Sequence, residues 1–241
     1  MRLGLISDLH GNLPALEAVL GELERDGVER IVCLGDVAVG PQPSETLNRI
    51  RAVGCPVVMG NWDAAFVDGL PAATDELSQL INETNGWWSE QLTDEDREFI
   101  RTFVPTLDLE LDGLPVLCCH GSPHSYDDGI FATTPDAELE ALFDAARPPL
   151  LIAGHTHVQL ARRFDASLLV NPGSVGLPFR DWPPKPVRIS PWAEYAVVEV
   201  ESERVRVDLR RTPFDVTAFL RMSRASGMPH AEWWADCWVT E

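Results

Sequence analysis

The chain has 241 residues, 45% of them hydrophobic, which is enough apolar material for one domain with a substantial core. Its formal net charge is −19, and it contains no basic cluster that could displace the counterions of a nucleic-acid polymer, so a partner of that kind is excluded. No apolar run reaches the roughly 18 residues that a membrane span requires, which excludes a membrane as partner.

The start of the chain and its cysteines predict a cytoplasmic location. Residues 1–6 run straight into Ser7 and Asp8, without the long apolar stretch and small-residue cleavage site of a secretory signal. The five cysteines are odd in number, and no two of them form a C-x-x-C pair. They are typical of unpaired core thiols in a reducing compartment and not of a disulfide framework.

The first sixty residues alternate between apolar runs and a helical pattern. Residues 3–6 form a short apolar run, after which apolar side chains recur at helical spacing over 13–23, and Gly27 ends that helix. Two more apolar runs follow at residues 31–34 and 56–59. Strand, polar turn and helix in repetition predict an α/β fold with a parallel sheet.

The remainder of the chain predicts helix in the middle and mostly strand after it. Residues 107–111 and 114–119 flank an Asp-Gly pair and predict a β-hairpin. A proline-rich stretch at 183–186 is typical of an exposed loop, because the strand pattern resumes beyond it. The other predicted elements are a helical region at 74–104, a helix at about 135–146, a strand at 150–153, strands up to residue 209 and a final helix from about 216.

These elements fit a single domain over residues 1–241, since no internal repeat divides the sequence. The segment from about 215 to 241 forms either a lid over this domain or a packing element. It contains Trp233, Trp234 and Trp238 among acidic residues. Aromatic side chains at that spacing are typical of a core or a lid, and a contact in a homo-oligomer is the open alternative.

Polar side chains follow five of the apolar runs at the point where each run ends. Taken singly, each is typical of a cap, a turn or a buried histidine. Together they would meet in one crevice, because the carboxyl ends of strands in an open α/β sheet form its ligand site. Carboxylate, amide and imidazole groups suit borderline divalent metals, and the absence of cysteine from the set argues against a structural zinc site. The candidate ligands are Asp8, His10, Asp36, Asn61, His120, His155 and His157.

The order of these motifs resembles that of a known family. The succession is similar to the calcineurin-like metallophosphoesterase superfamily, and residues 170–176 and 210–213 further resemble a bacterial branch of it. The similarity therefore covers nearly the whole chain. The motifs that carry it are D-x-H at residues 8–10, G-D at 35–36, G-N-x-D at 60–63, H-G at 120–121 and G-H-x-H at 154–157.

The resemblance implies an α/β fold of four layers, an αββα sandwich of two mixed β-sheets flanked by helices. It also implies two divalent metal ions at the rim: manganese, iron, nickel, cobalt or zinc, with manganese the metal expected in vitro. Such a pair lowers the pKa of a shared water, and the bridging hydroxide hydrolyses a phosphoester. Carried over by position, one ion would be held by Asp8, His10 and His157, the other by Asn61, His120 and His155, and both by a bridging Asp36.

The enzyme that the resemblance implies is a phosphodiesterase or a nucleotide or dinucleoside polyphosphate hydrolase acting on a small phosphoester. A phosphomonoesterase of the same fold is one alternative. A catalytically silent module that kept the fold for binding a protein is another. The complete set of seven ligand-competent residues favours an enzyme, because a scaffold has no chemical need for it.

One position departs from the family pattern. The superfamily usually has histidine after the asparagine of its G-N-H-[DE] motif, where it is thought to protonate the leaving oxygen or stabilise the transition state. This chain has Trp62 there. Indole cannot act as a general acid at neutral pH, and general acid catalysis typically supplies about 10²–10⁴-fold. The substrate would then carry an acidic leaving group, such as an aryl oxide or a nucleoside polyphosphate, or another group would donate the proton.

Three side chains near the motifs have both a functional and a structural interpretation. His124 is a candidate proton donor or a solvent-exposed loop residue. Trp62 could stack on an aromatic group of the substrate or simply wall the pocket. Arg180 could bind a phosphate with its forked donors or form a surface ion pair with Asp181.

Overall fold

The computed structural model describes residues 1–143, 147–181, 185–202 and 204–239, which form eleven strands and eight helices. The strands are β1 (Arg2–Ile6), β2 (Arg30–Cys33), β3 (Thr106–Leu111), β4 (Leu114–Cys119), β5 (Leu150–Ile152), β6 (Leu160–Phe164), β7 (Ser167–Asn171), β8 (Phe179–Asp181), β9 (Arg188–Ile189), β10 (Trp192–Glu201) and β11 (Arg204–Pro213). The helices are α1 (Leu13–Arg25), α2 (Pro43–Val53), α3 (Asn61–Asp68), α4 (Glu76–Glu90), α5 (Asp94–Ile100), α6 (Asp136–Leu142), α7 (Val216–Ala225) and α8 (Ala231–Asp236).

The first sheet has four strands in the order β11, β10, β1, β2. β1 runs parallel to β2 and antiparallel to β10, so the sheet is mixed. The apolar run at 56–59, predicted as a further strand, lies along the outer edge of β2 and makes isolated bridges, of Val57 with Cys33 and of Val58 with Val104. This run leads the chain to Gly60, which lies against the loop that follows β2.

The second sheet has five strands in the order β3, β4, β5, β7, β6. β4, β5 and β7 are parallel, while β3 and β6 run antiparallel to their neighbours at the two edges. The predicted hairpin is confirmed, because Asp112 and Gly113 connect β3 to β4. Their φ angles of 48° and 84° are the positive values that the central residues of a type I′ turn require.

The two sheets pack face to face, because alternate residues of both enter one buried cluster. Leu5 and Val198 of the first sheet meet Ile152 of the second in that cluster. The neighbouring side chains point the other way, so Ile6 packs under helices on one side of the sandwich and Leu151 packs under α6 on the other. Helix, sheet, sheet and helix therefore form four layers, and the predicted αββα fold class is confirmed.

The predicted helices are present with shorter bounds. The region predicted at 74–104 is divided into α4 and α5, each of which begins with a capping box. α1 and α7 begin where the apolar spacing predicted them. α6 falls inside the helix predicted at about 135–146, of which residues 144–146 lie outside the described part of the chain, as do residues 183 and 184 of the proline-rich loop.

The C-terminal helices pack against the domain. α7 and α8 join the cluster beneath the first sheet, where Trp234 and Trp238 are buried. The ring of Trp234 meets Phe219 at a centroid distance of 5.6 Å and Trp88 of α4 at 6.3 Å. These two tryptophans are therefore packed within one chain, and a homo-oligomer stays a prediction.

The structure also bears on the membrane and on the cysteines. Within the described residues, no helix has both the length and the apolar character that crossing a bilayer requires. The five cysteines are free thiols. Burial raises the pKa of the Cys119 thiol to about 12, so this thiol stays protonated and unreactive at neutral pH.

Replacing Leu5 by alanine tests the core between the sheets. Leu5 is fully buried there, so we expect Leu5→Ala to lower the free energy of unfolding by about 2–5 kcal/mol, from lost burial and from the cavity left behind. Urea denaturation followed by circular dichroism measures this change. The control is Leu209→Ala on the edge strand β11, where the side chain is 36% exposed and a change of about 0.5 kcal/mol or less is expected. Equal losses in both variants would contradict the assigned core.

Candidate metal centre

The predicted ligand residues lie in loops that follow strands of both sheets. Because parallel strands end at the same edge of a sheet, these loops converge where the two sheets face each other. Asp8 and His10 follow β1, Asp36 follows β2, Asn61 begins α3 after the extended run at 56–59, His120 follows β4, and His155 and His157 follow β5.

The first cluster consists of Asp8, His10 and His157, all of them buried. Nε2 of His157 lies 3.2 Å from Oδ1 of Asp8 and 3.0 Å from Nε2 of His10. One carboxylate oxygen and two ring nitrogens thus face a common point. These are the three residues that the sequence predicts for one metal ion.

The second cluster shares Asp8 with the first and adds Asp36 and His120. Oδ2 of Asp36 lies 3.7 Å from Nε2 of His120 and 3.8 Å from Nε2 of His10. Oδ1 of Asn61 is 3.2 Å from the same nitrogen of His120. Asp36 of the second cluster therefore also lies near His10 of the first, and Asp8, predicted for one ion only, belongs to both clusters.

His155 lies outside both clusters, as Asn61 does, and unlike Asn61 its ring makes no hydrogen bond to a cluster residue among those described. Its ring centroid lies 5.3 Å from that of His120, and the two rings meet edge to face. Its backbone N–H donates to Oδ2 of Asp8 at 3.1 Å. The structure connects His155 to the centre through its backbone, and its role as a ligand stays a prediction.

The three buried histidines are held with Nε2 towards the centre. Each places Nδ1 against a backbone carbonyl, which can only accept a hydrogen bond, so Nδ1 carries the hydrogen and Nε2 of the neutral ring keeps its lone pair. Such contacts fix the tautomer of metal-binding histidines. The distances are 3.2 Å from His10 to Val39, 2.6 Å from His120 to Leu34 and 2.7 Å from His157 to Leu177.

The unsatisfied atoms of the first cluster fit a divalent cation. Oδ1 of Asp8 is buried, and no donor of the described residues points at it with hydrogen-bonding geometry. Nε2 of His10 and Nε2 of His157 face each other at 3.0 Å. Such groups are costly to bury unless a cation lies among them. The residues present therefore fit the divalent metals that the donor chemistry predicts.

The pKa values of the two buried carboxylates are shifted in opposite directions. Burial would raise the pKa of Asp8, but the neighbouring charges of His157 and His120 outweigh burial and hold that pKa below its ordinary value. Burial and the charge of Asp8 raise the pKa of Asp36 to about 8. Without cations, therefore, the Asp36 carboxyl retains its proton at neutral pH. Bound metals would displace that proton, as ligand binding by carboxylates requires.

Left-handed backbone conformations collect at the predicted ligands. Only four other non-glycine residues among those described share this conformation. Outside glycine it costs roughly 1–2 kcal/mol per residue, and such strain concentrates at functional sites. The ligand residues with positive φ, between 47° and 66°, are Asp8, His10, Asp36, His155 and His157.

Two motif glycines allow the backbone to approach the carboxylates closely. A Cβ added at Gly60 would lie 2.2 Å from Oδ1 of Asp36, and one added at Gly154 would lie 2.2 Å from Oγ of Ser7 and 3.2 Å from Oδ2 of Asp8. Real Cβ atoms do not come so near, so these positions exclude any side chain.

The start of α3 holds the second cluster against the first sheet. The backbone N–H of Trp62 donates to Oδ1 of Asp36 at 2.9 Å. Oδ1 of the buried Asp63 accepts the backbone N–H groups of Val37 at 3.0 Å and Ala38 at 3.3 Å. The last two residues of G-N-x-D thus orient the loop that carries Asp36.

Two side chains that sequence reasoning missed position the ligand loops. Oγ of Ser174 donates to the carbonyl oxygen of Asp8 at 2.7 Å. Nδ2 of Asn171 donates to the carbonyl oxygen of Gly154 at 2.7 Å. Both belong to the motif at 170–176, which the sequence related to a bacterial branch without giving its residues a task.

A cavity of about 340 Å³ opens beside the clusters. Trp62 lies in its wall, as one interpretation predicted, and its stacking on a substrate stays a prediction. Residues of both clusters reach the same cavity. The centre is therefore open to a small molecule. The predicted ligands that line the cavity are His10, Asp36, Asn61, His155 and His157.

His124 and Arg180 lie elsewhere. Both are exposed, and neither is among the described residues that line the cavity. Asp181, the ion-pair partner considered for Arg180, pairs with Lys185 at 3.0 Å. Proton donation by His124 and phosphate binding by Arg180 stay predictions.

The family of the chain follows from its similarity to known proteins. The model of the calcineurin-like phosphoesterase superfamily domain matches residues 1–203. This chain belongs to that superfamily. The predicted enzyme class, a metallophosphoesterase, is confirmed, and the two clusters are the groups that suit the metals on which this family depends.

Relatives of known name or structure agree with this membership. Phosphodiesterase YfcE of Escherichia coli strain K12 is 27% identical over 194 residues, which are 74% of this chain and 81% of that protein. The crystal structure of a metallophosphoesterase from Sphaerobacter thermophilus is 29% identical, with a TM-score of 0.74 over 96% of each chain. The hypothetical protein PH1004 from Pyrococcus horikoshii, 23% identical with a TM-score of 0.78, covers 95% of this chain and 94% of its own and shares the fold.

Replacing Gly154 by alanine tests the close approach of the backbone at the centre. Because the added Cβ would displace Ser7 and Asp8, we expect Gly154→Ala to weaken Mn²⁺ binding about tenfold or more in isothermal titration calorimetry. The control is Gly21→Ala in α1, where the nearest atom to an added Cβ is 3.9 Å away. This control should bind Mn²⁺ normally and gain about 0.4–1 kcal/mol in stability. Normal Mn²⁺ binding by Gly154→Ala would contradict the assigned packing.

Proposed function

We propose that this chain hydrolyses small phosphodiesters at a centre of two divalent metal ions. The observation that carries the proposal is the position of Asp36, whose Oδ2 lies 3.8 Å from Nε2 of His10 and 3.7 Å from Nε2 of His120. A carboxylate between two ligand clusters supports a bridging role and hence two ions. The proposed ligands are Asp8, His10, Asp36, Asn61, His120, His155 and His157.

When bound, two divalent ions supply water of lowered pKa and positive charge for the phosphoryl oxygens. Manganese, iron, cobalt, nickel and zinc all suit the donor set, and we choose manganese for assays. The chain's own residues orient the site. The backbone N–H of Trp62 holds Oδ1 of Asp36, which leaves Oδ2 directed at both clusters. The carbonyl contacts at Nδ1 keep the Nε2 lone pairs of the buried histidines directed inward.

The charge around the cavity supports a phosphodiester over a polyphosphate. The chain carries a net charge of −19, and none of the described residues that line the cavity is lysine or arginine. A phosphodiester has one negative charge, which the metal ions can balance. A phosphomonoester or a nucleoside polyphosphate has more, and no cationic side chain of the cavity wall is available for it. The similarity to a named phosphodiesterase supports the same order of preference.

The side chain of Trp62 bears on the choice of leaving group. Its indole lines the cavity beside the proposed ligand Asn61. An indole N–H donates a hydrogen bond but does not release its proton near neutral pH. Hydrolysis should therefore be efficient where the leaving oxygen departs as a weak base, such as an aryl oxide, and slow where it departs as an alkoxide.

Metal removal and Asp36→Asn test the proposed function. We expect Mn²⁺-dependent hydrolysis of bis-p-nitrophenyl phosphate, its loss in EDTA and its return with added Mn²⁺. Asp36→Asn keeps the shape of the side chain but removes its charge, so kcat/KM should fall about 10²–10³-fold or more. The control is Asp68→Asn, an exposed carboxylate at the other end of α3, which should keep the wild-type rate. Undiminished turnover in EDTA would refute the function, and a wild-type rate from Asp36→Asn would refute the site.

A series of leaving groups tests the role of Trp62. For phosphodiesters that share one ester group and carry methoxide, phenoxide or p-nitrophenoxide as the leaving group, kcat should fall steeply as the pKa of the leaving alcohol rises. Trp62→His restores a general acid, so it should flatten this dependence and raise the rate for the methyl ester by about 10²-fold or more. Trp62→Phe keeps an aromatic ring without a donor and should leave the slope steep. A wild-type slope near zero would show that another group protonates the leaving oxygen.

A further inference from the structure

The cavity extends away from the metal centre into a chamber, by which we mean its part lined by α4, β8, β9 and α8. The ring of Phe179 stacks on that of His157 with centroids 4.4 Å apart and an interplanar angle of 21°, so the chamber begins directly at the first cluster. Aromatic faces are large, planar and apolar, which suits them to stacking on a flat ligand. The rings that line the cavity are Trp62, Trp88, Phe179, Trp233 and Trp234.

The wall of the chamber is held in place by contacts between α4 and the C-terminal segment. Nε2 of His230 lies 2.7 Å from Oε2 of Glu83 on α4. The rings of Trp88 and Trp234 meet edge to face at 6.3 Å. Trp238 pairs with Ile189 of β9 through a backbone bridge. The chamber is thus a built part of the fold, and its shape is set before a ligand binds.

Polar groups of this apolar wall lack partners among the described residues: the buried indole Nε1 of Trp88 is one, and the side-chain amide of Asn85 is another. Asn85 of α4 lines the cavity and is 5% exposed, yet its amide makes no hydrogen bond to any residue that the structure describes. Its neighbour Thr84 also lines the cavity, but the Thr84 hydroxyl donates to the carbonyl of Leu80 at 3.0 Å. The Asn85 amide is not among the fully buried unpaired atoms of the described residues, so its donor and its acceptor are open to a ligand that enters the cavity.

We propose that the chamber binds a planar heteroaromatic group of the substrate, such as a nucleobase, and that Asn85 is the specificity residue that pairs with its polar edge. An amide offers one donor and one acceptor in a single plane, which matches the edge of such a ring. The tryptophan and phenylalanine rings cover its faces. This inference rests on the proposed function, because the phosphodiester must lie at the metal centre for its other group to reach the chamber.

Two observations favour this occupant over an alkyl chain or a charged group. An alkyl chain would displace water from Asn85 and leave the amide unpaired. A charged group has no counterpart, since none of the described residues lining the cavity is lysine or arginine and the carboxylate there belongs to the proposed centre. A neutral aromatic ring with polar edge atoms can stack on the aromatic residues of the wall and form hydrogen bonds with the amide of Asn85.

Two substrates with the same leaving group and the same charge test the inference. Adenosine 5′-(p-nitrophenyl phosphate) carries a heteroaromatic group, whereas hexyl p-nitrophenyl phosphate carries an alkyl chain. With the Mn²⁺-loaded protein, KM for the adenosine ester should be at least about tenfold lower, because only this ester pairs with Asn85. Equal KM values, or a lower KM for the hexyl ester, would overturn the inference and leave the proposed function intact.

Asn85→Leu tests the residue itself. The ratio of the two KM values should fall about 10- to 100-fold towards one, because leucine cannot pair with the ring edge. The matched control is Asn82→Leu on the same helix, whose amide donates to the carbonyl of Pro71 and does not line the cavity. This control should keep the wild-type ratio. A wild-type ratio in Asn85→Leu would contradict the assigned role.

Binding without metal separates the two proposals. Adenosine titrated into EDTA-treated protein should quench tryptophan fluorescence, since four of the lining rings are tryptophans, and the quenching should weaken in Asn85→Leu. Quenching in a protein that hydrolyses neither ester would support the chamber and refute the phosphodiesterase proposal. Absence of quenching in the wild-type protein would overturn the chamber inference whatever the esterase activity.

Discussion

Two carboxylates buried at one point are the constraint around which this molecule is arranged. Asp8 and Asp36 are 0% and 1% exposed, and in the absence of a cation burial and the charge of Asp8 favour the protonated form of Asp36. The surrounding structure makes that point suitable for positive charge: ring nitrogens face it with their lone pairs, backbone N–H groups hold the outer carboxylate oxygens, and glycines keep side chains away. The strained backbone of the ligand loops is held by the same packing, since the loops of Asp8, Asp36, His120 and His155 each follow a strand of one of the two sheets.

The face-to-face packing of two sheets makes the centre possible. Asp8 and Asp36 lie in loops that follow strands of the first sheet, and His120 and His157 lie in loops that follow strands of the second. Each cluster therefore needs residues from both sheets. The residues between the sheets, such as Leu5 and Ile152, therefore set the distance between ligand groups as well as the stability of the fold. A change in that core would alter metal binding even though it touches no ligand.

The sequence predicts the layers, and it predicts the residues that form the two clusters, because the signals for both are local. An apolar run followed by Asp, Asn or His places a polar group at a strand end, and the motif order identifies which ends meet. The run at 56–59 has the composition of a strand but lies at the edge of β2 with isolated bridges only. The sharing of Asp8 by both clusters depends on contacts across 147 residues, as between His10 and His157, and no local pattern encodes such a contact. The same holds for Asn85, which an amphipathic pattern assigns merely to a helix.

One part of the chamber wall lies outside the stretch of the chain that defines the family. The family model matches residues 1–203, which contain every proposed metal ligand, whereas Trp233 and Trp234 come from α8, beyond that limit. The α8 side of the wall can therefore change while the metal ligands, and Asn85 with them, stay the same. A relative with a different C-terminal segment could accept a different substrate without any change at the metals, and grafting α7 and α8 between relatives becomes a rational route to exchanging their selectivity.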